Sequence, residues 1–259
     1  MQAPQKIAVA GGTGRVGRHV VDVLRSEGHE VVPMSRSTGV DVITGDGLAG
    51  ALKGVECVID VATGPSADQK EATDFFTTAA RNLQEGGEQA GVQRMVVVSI
   101  IGIDRFTAGY SAAKVAHERA MLSGPIPVQI LRAAQFHEFV GQLLEWGTQG
   151  DVSYLPKMRT QPVAARAVAR ALADFATSSA PSTASAQPQF PEIAGPREEN
   201  LANLARMLVA RRGGPVRIEE VSDPADPDQR LNETGALLPG PDAMLAGPTF
   251  EGWLDSDDG

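Results

Sequence analysis

The 259-residue chain has one cysteine, four histidines, two tryptophans and two tyrosines. A single cysteine excludes an internal disulfide, and with so few scattered histidines it offers no metal cluster. Cys57 itself lies in the apolar run 55–61 and reads as core. Long apolar runs are missing too. No stretch approaches the roughly 20 residues of a membrane-spanning helix, and no charged-then-apolar leader precedes the first strand-like segment. A cytoplasmic protein with no membrane partner is the expectation. Basic charge is also scarce: the formal net charge is −9, and residues 219–259 hold eleven acidic residues against Arg230 alone. The other 218 residues carry 22 basic and 21 acidic groups. No cationic stripe remains to neutralise nucleic-acid phosphates, so nucleic acid is excluded as a partner.

Glycine, by contrast, is placed with purpose near the start. Ile7, Ala8, Val9 and Ala10 form a short apolar run, followed by Gly11, Gly14 and Gly17 at intervals of three. Val16, Val20, Val21, Val23 and Leu24 then recur at helical spacing. A strand-to-helix turn built this way cradles a dinucleotide pyrophosphate. One glycine permits the tight turn, another the close backbone approach and the third the packing of helix on strand, while the helix N-terminus favours the anion. Thr13, Arg15 and Val16 complete the predicted cradle.

Strand-like and helix-like segments alternate through two thirds of the chain, which predicts an α/β fold with a doubly wound parallel sheet. Strands are expected at 5–10, 30–35, 56–61, 93–99 and 126–132, with a stub over 40–44. Helices are expected at 14–27, 46–53, 68–90, 111–123 and 135–148. Pro33, unable to donate to a ladder, reads as the end of the second strand. Residues 1–150 form the expected nucleotide-binding core and 151–259 a small C-terminal lobe with an acidic tail. That lobe should hold a helix at 164–175, a linker-like Ser/Ala/Pro stretch at 177–188, a strand at 190–194, a helix at 198–211 and a strand near 216–219. The tail carries Leu237, Leu238, Met244, Leu245, Phe250, Trp253 and Leu254, too apolar for free solvation, so it should dock on the body or on a neighbouring subunit.

Two further groups carry chemistry. After the second strand stands Ser35-Arg36-Ser37, where an acid would meet a ribose 2′-hydroxyl; an arginine there pairs instead with a 2′-phosphate, favouring NADP over NAD. Farther on, the apolar run Val96-Val97-Val98 ends at Ser99, and Tyr110 and Lys114 lie four apart on one helix face. A lysine beside a phenol favours the phenolate, as a proton donor or acceptor to a carbonyl oxygen requires, and Ser99 would hold that oxygen. A Tyr-x-x-x-Lys pair alone also fits ordinary surface packing. The order of glycine turn, strand-end serine and helical pair gives it weight. Gln135, Phe136 and His137 open the helix after the last main strand, where a sheet's carboxyl edge meets ligands. His137 reads either as a substrate contact or as a packed residue, while His117, His19 and Arg105 read as structural.

These residues together resemble the short-chain dehydrogenase/reductase superfamily, specifically its atypical, NmrA-like NAD(P)H-binding branch, over about residues 5–211. The resemblance implies a Rossmann-like sheet with a small C-terminal substrate lobe and an NADP(H)-dependent oxidoreductase. It places Gly11, Gly14 and Gly17 on the pyrophosphate, Asp46 at the adenine amino group, Ala62 and Thr63 beside the nicotinamide ribose, and Lys114 on that ribose's hydroxyls. Ser99, Tyr110 and Lys114 become the catalytic set, acting on a small apolar carbonyl, enone or quinone. Two other readings stay open: a non-catalytic NADP-sensing module, and a sugar-nucleotide epimerase or dehydratase. Homo-oligomer formation is left open.

Overall fold

Lys6–Ala10 is strand β1 and Gly17–Ser26 is α1, so the glycines fall in the turn between them. The computed structural model describes residues 3–178, 190–212 and 217–256. The chain continues through β2 (Glu30–Met34), a 3-10 turn (Arg36–Thr38), α2 (Leu48–Ala51), β3 (Cys57–Asp60), α3 (Gln69–Ala90), β4 (Arg94–Ile100) and α4 (Gly109–Leu122). β5 (Val128–Ala133), α5 (His137–Gly147), β6 (Thr148–Gln149), β7 (Val152–Pro156), β8 (Arg159–Thr160) and α6 (Ala165–Thr177) follow. The last elements are β9 (Glu192–Ala194), β10 (Glu199–Asn200), α7 (Leu201–Arg212), β11 (Arg217–Val221), α8 (Gln229–Glu233), β12 (Met244–Leu245) and α9 (Phe250–Leu254).

Seven strands form the central sheet in the order β12-β9-β5-β4-β3-β1-β2. β1 pairs in parallel with β2 on one side, Ala8 opposite Val32, and with β3 on the other, Ala8 opposite Val58. Because β2 is the edge, Pro33 stands inside it, opposite Val9, with no further strand to require its missing N–H. The strand ends at Met34 rather than at the proline. The stub expected over 40–44 is a turn. Its β-branched residues favour a strand, but the Asp41 carboxylate accepts from the amides of Ile43 (2.8 Å) and Thr44 (3.4 Å), and Asn82 Nδ2 donates to the carbonyls of Val42 and Ile43. The expected helix at 46–53 shrinks to the single turn α2.

The chain divides into two compact units. The first comprises the described residues of Met1–Ser99, Gly109–Leu131 and Val168–Pro191; the second comprises those of Ile100–Ala108, Arg132–Ala167 and Glu192–Gly259. The chain passes between them repeatedly, so a boundary near residue 150 does not separate them. Most of α6 belongs to the first unit, where the Arg94 guanidinium donates to the Ala176 carbonyl. The strand expected in the C-terminal lobe is β9, which joins the central sheet through Arg132 and Ala133 of β5.

The first unit's core is aliphatic: Ala8, Val58, Leu83, Met95, Val97 and Ile130 are each at most 1% exposed. Gln84 of α3 ties it further, giving a hydrogen bond to the Met121 carbonyl (2.8 Å) and accepting one from the Ile126 amide (2.9 Å). In the second unit Leu155, Leu201, Leu204 and Leu208 pack with Phe250 and Trp253 of α9, so the tail docks on its own chain. The Ser/Ala/Pro stretch falls from residue 179 onward outside the described residues, as does Val216. Among the described residues no helix is long and apolar enough to cross a membrane.

Candidate active site

The glycine turn is shaped by close approaches of backbone. Gly11 has φ +77°, and a Cβ there would lie 2.8 Å from Ala62 Cα; at Gly17 it would lie 2.0 Å from the Gly11 carbonyl oxygen. Only glycine fits either position. Gly14 is different: its only close neighbour is the Gly11 carbonyl at 3.1 Å, and it is exposed beside Thr13 and Arg15. The two crowded glycines therefore build the turn and the open one presents it, while the buried Val16 leads into α1.

The neighbouring loops converge on that turn. Ser37 Oγ reaches Thr13 Oγ1 at 3.5 Å, and Ser35 Oγ lies 2.8 Å from Ser37 Oγ. The Ser35 amide and Thr38 hydroxyl close the 3-10 turn at 2.9 Å. Arg36 projects from it, exposed, and among the described residues it meets no carboxylate. Asp46, also exposed, closes the next turn through its carbonyl, which accepts from the Asp41 amide at 2.9 Å. On the other side Ala62 abuts Gly11, and its amide donates to Asp60 Oδ1 at 2.9 Å. Thr63 then lies beside the Tyr110 phenol, where it favours the ionised form. Thr13, Ser37, Ala62, Thr63 and Tyr110 are thus linked around the carboxyl ends of β1, β2 and β3.

Lys114 is placed otherwise than the pairing with Tyr110 predicts. Its Nζ donates to the Val98 carbonyl (2.9 Å), lies 2.8 Å from His117 Nδ1, and sits 4.6 Å above the Phe76 ring. His117 Nε2 is 3.0 Å from Asp60 Oδ2. Burial pulls Lys114 down to about 8, with Asp60 opposing. Tyr110 moves the other way, pushed up to about 12, chiefly by burial; Thr63 acts against the shift, Asp60 with it, and Lys114 plays no part. The phenol is protonated at neutral pH. Ser99 Oγ, in a residue 3% exposed, has no hydrogen-bond partner among the described residues.

Asp60 and Phe76 escaped the sequence reading, in which His117 is structural only. Phe76 stacks on His117 at 4.7 Å and meets Tyr110 edge-on at 5.6 Å. Two signals were available: His117 lies one helical turn past Lys114 on the same face, and Asp60 is an acid closing a fully buried strand.

The residues expected to touch substrate lie in the second unit and are occupied. His137 is 1% exposed, its Nε2 lies 3.1 Å from the Pro248 carbonyl, and its ring packs against Phe250 and Trp253. Burial lowers its pKa to about 4. It is a packed histidine, covered by a tail segment 111 residues away in sequence. Gln135 accepts from the Thr160 hydroxyl at 2.7 Å, and Phe136 bridges Val163.

An open glycine between two positions that only glycine fills, with an orphaned buried hydroxyl near the end of β4, fits a dinucleotide. Fold and turn define an α/β nucleotide-binding protein. The sequence profile of the NAD(P)H-binding family matches residues 11–178, and the chain belongs to that family. Among curated proteins, 3-beta-hydroxysteroid dehydrogenase of Mycolicibacterium neoaurum is 30% identical over 112 residues, covering 35% of this chain and 31% of that protein. Photosystem II assembly factor Ycf39 of Synechocystis sp. is 28% identical over 110 residues, covering 37% and 34%. The chain spans about a third of the length of these curated relatives. Among solved structures, MoeE5 in complex with UDP-glucose and NAD has a TM-score of 0.69 at 20% identity, with 96% of each chain covered. dTDP-4-dehydrorhamnose reductase from Bacillus anthracis str. Ames, in complex with NADP, has a TM-score of 0.69 at 14% identity, covering 97% of this chain and 98% of that one. These neighbours share the fold.

Proposed function

We propose that the protein is an NADP(H)-dependent oxidoreductase that reduces a small apolar carbonyl, enone or quinone, with Tyr110 as the proton donor. The observation that carries this reading is the half-buried, protonated Tyr110 phenol, which lies beside Thr63 in the same compact unit as the glycine turn. When bound, the reduced dinucleotide supplies the hydride. Gly11 and Gly17 shape the turn for its pyrophosphate, and Gly14 leaves the turn open. Arg36, exposed and meeting no carboxylate among the described residues, supports the 2′-phosphate form, because a guanidinium pairs with phosphate bidentately. As the substrate carbonyl becomes an alkoxide, the Tyr110 O–H bond breaks and its proton goes to that oxygen. Thr63 beside it favours the phenolate left behind. Ser99 Oγ, otherwise unpartnered, donates to the same oxygen. A phenol held in its acid form suits reduction rather than the reverse.

The test is oxidation of NADPH, followed at 340 nm, against a panel of ketones, enones and quinones. Tyr110→Phe should lower the rate by about 10²- to 10⁴-fold, the range for loss of a general acid. An unchanged rate in that variant would overturn the mechanism. Tight NADP binding without turnover on the panel would instead favour a sensing module, and calorimetric binding of UDP-glucose an epimerase-like enzyme.

A further inference from the structure

Asp60 and His117 take no direct part in the reaction just described, yet each side chain is 1% exposed and they lie 3.0 Å apart. Their hydrogen bonds admit one arrangement. A lysine ammonium only donates and a carboxylate only accepts. The imidazole between them therefore accepts at Nδ1 from Lys114 and donates from Nε2 to Asp60 Oδ2. Asp60's second oxygen is taken by the Ala62 amide, which fixes the carboxylate against the loop beside Gly11. Lys114's other acceptor is the carbonyl of Val98, the residue before Ser99.

We propose that Asp60 and His117 are positioning residues for Lys114, one fixing the tautomer of the other, so that the ammonium is held on β4 beside Ser99 and kept charged despite its burial. The proposal rests on the oxidoreductase reading only for the use to which that charge is put. Several groups face Lys114. Asp60 comes from β3, His117 and Glu118 from its own helix, the Val98 carbonyl from β4 and the Phe76 ring from α3. Burial favours the neutral amine, and Asp60 followed by Glu118 opposes it. Removing the Asp60 charge removes the larger opposition.

The chain has five lysines, few enough for Lys114 to be followed by 13C NMR of the Cε positions in the full-length protein without nucleotide. The wild type should titrate near 8 at Lys114. Asp60→Asn, of the same shape, should move that titration down by about one pH unit or more, as loss of a close opposite charge does. The NADPH dissociation constant, read by nucleotide fluorescence, should then begin to rise at a correspondingly lower pH. A second measurement needs no variant: 15N correlations on the four histidines should show His117 neutral and protonated at Nε2. A Lys114 titration unmoved in Asp60→Asn, or a His117 protonated at Nδ1, would overturn the positioning role even if NADPH is turned over normally. If the titration moves as expected while the wild type fails to bind NADPH, the positioning role stands and the proposed function falls.

Discussion

His117 and His137 are both 1% exposed, and burial lowers the pKa of both, yet the regions around them obey different rules. His117 stands in a satisfied charged chain, with Lys114 at one nitrogen and Asp60 at the other. His137 stands among Phe250, Trp253 and the Pro248 carbonyl, with Nδ1 unpartnered. Near His117 the polar groups hold one another, and removing one strands the rest. Near His137 the apolar contacts hold the structure, and the imidazole contributes mainly as a neutral ring. The same residue type is thus indispensable in one setting and replaceable in the other.

The largest expected difference comes from replacing each by leucine. His117→Leu leaves the Asp60 carboxylate buried without its imidazole and Lys114 with the Val98 carbonyl but no imidazole acceptor, and breaking a buried pair this way costs about 3–5 kcal/mol. His137→Leu loses one hydrogen bond to a carbonyl, worth about 1 kcal/mol. Urea denaturation of both variants measures the two costs, and equal losses would dissolve the contrast. The next effect is on pH. His137 is neutral in the folded chain down to about 4, whereas an ordinary histidine protonates near 6.5. Between those values the unfolded chain binds the extra proton. Stability from His137 is therefore complete above 6.5 and is lost as pH falls toward 4, by about 3 kcal/mol in all. Denaturation midpoints between pH 7 and 5 should fall in the wild type and fall less steeply in His137→Leu; parallel slopes would place the pH dependence elsewhere.

The difference between the regions also tracks what the sequence could reveal. The glycine turn was legible because Gly11 and Gly17 answer local steric demands that no other residue meets. That Ser99 lies near the end of β4 and that Tyr110 and Lys114 share a helix was legible, but not that Lys114 turns to Val98 and His117. The Asp60–His117 bond was not, because 57 residues separate its partners and only the packing of α4 near β3 joins them. The same holds for His137, whose place after β5 suggested a ligand crevice until residues 248–253 are seen to cover it. At Val40–Thr44 local information was present but misjudged: β-branched residues argued for a strand, and the Asp41 side chain captured the amides that a strand needs. Pro33 reads as the strand's end, but β2 is the edge of the sheet and runs on past it.

Two smaller effects sharpen the contrast through function. Arg36→Ala should weaken NADPH binding about 10- to 100-fold, the worth of a hydrogen bond to a charged group, and leave NADH affinity unchanged. Fluorescence titration with both nucleotides checks this, and equal weakening would mean that Arg36 does not read the 2′-phosphate. The smallest effect on stability is expected where each region keeps a buried polar atom without a partner, Ser99 Oγ in one and Trp253 Nε1 in the other. Burying such a group costs free energy that the folded chain does not recover. Ser99→Ala should therefore match or exceed wild-type stability, by less than about 1 kcal/mol, while slowing NADPH-dependent reduction. Trp253→Phe also removes an orphan donor, but it gives up apolar volume in the tail cluster. Its stability should change by about 1 kcal/mol or less, with NADPH affinity and turnover untouched. A hydroxyl whose loss stabilises the fold and slows the reaction is kept for a ligand. If Ser99→Ala reduces neither NADPH affinity nor turnover, its orphaned oxygen is no different in kind from the indole nitrogen of Trp253, and the candidate site loses its strongest structural mark after Tyr110.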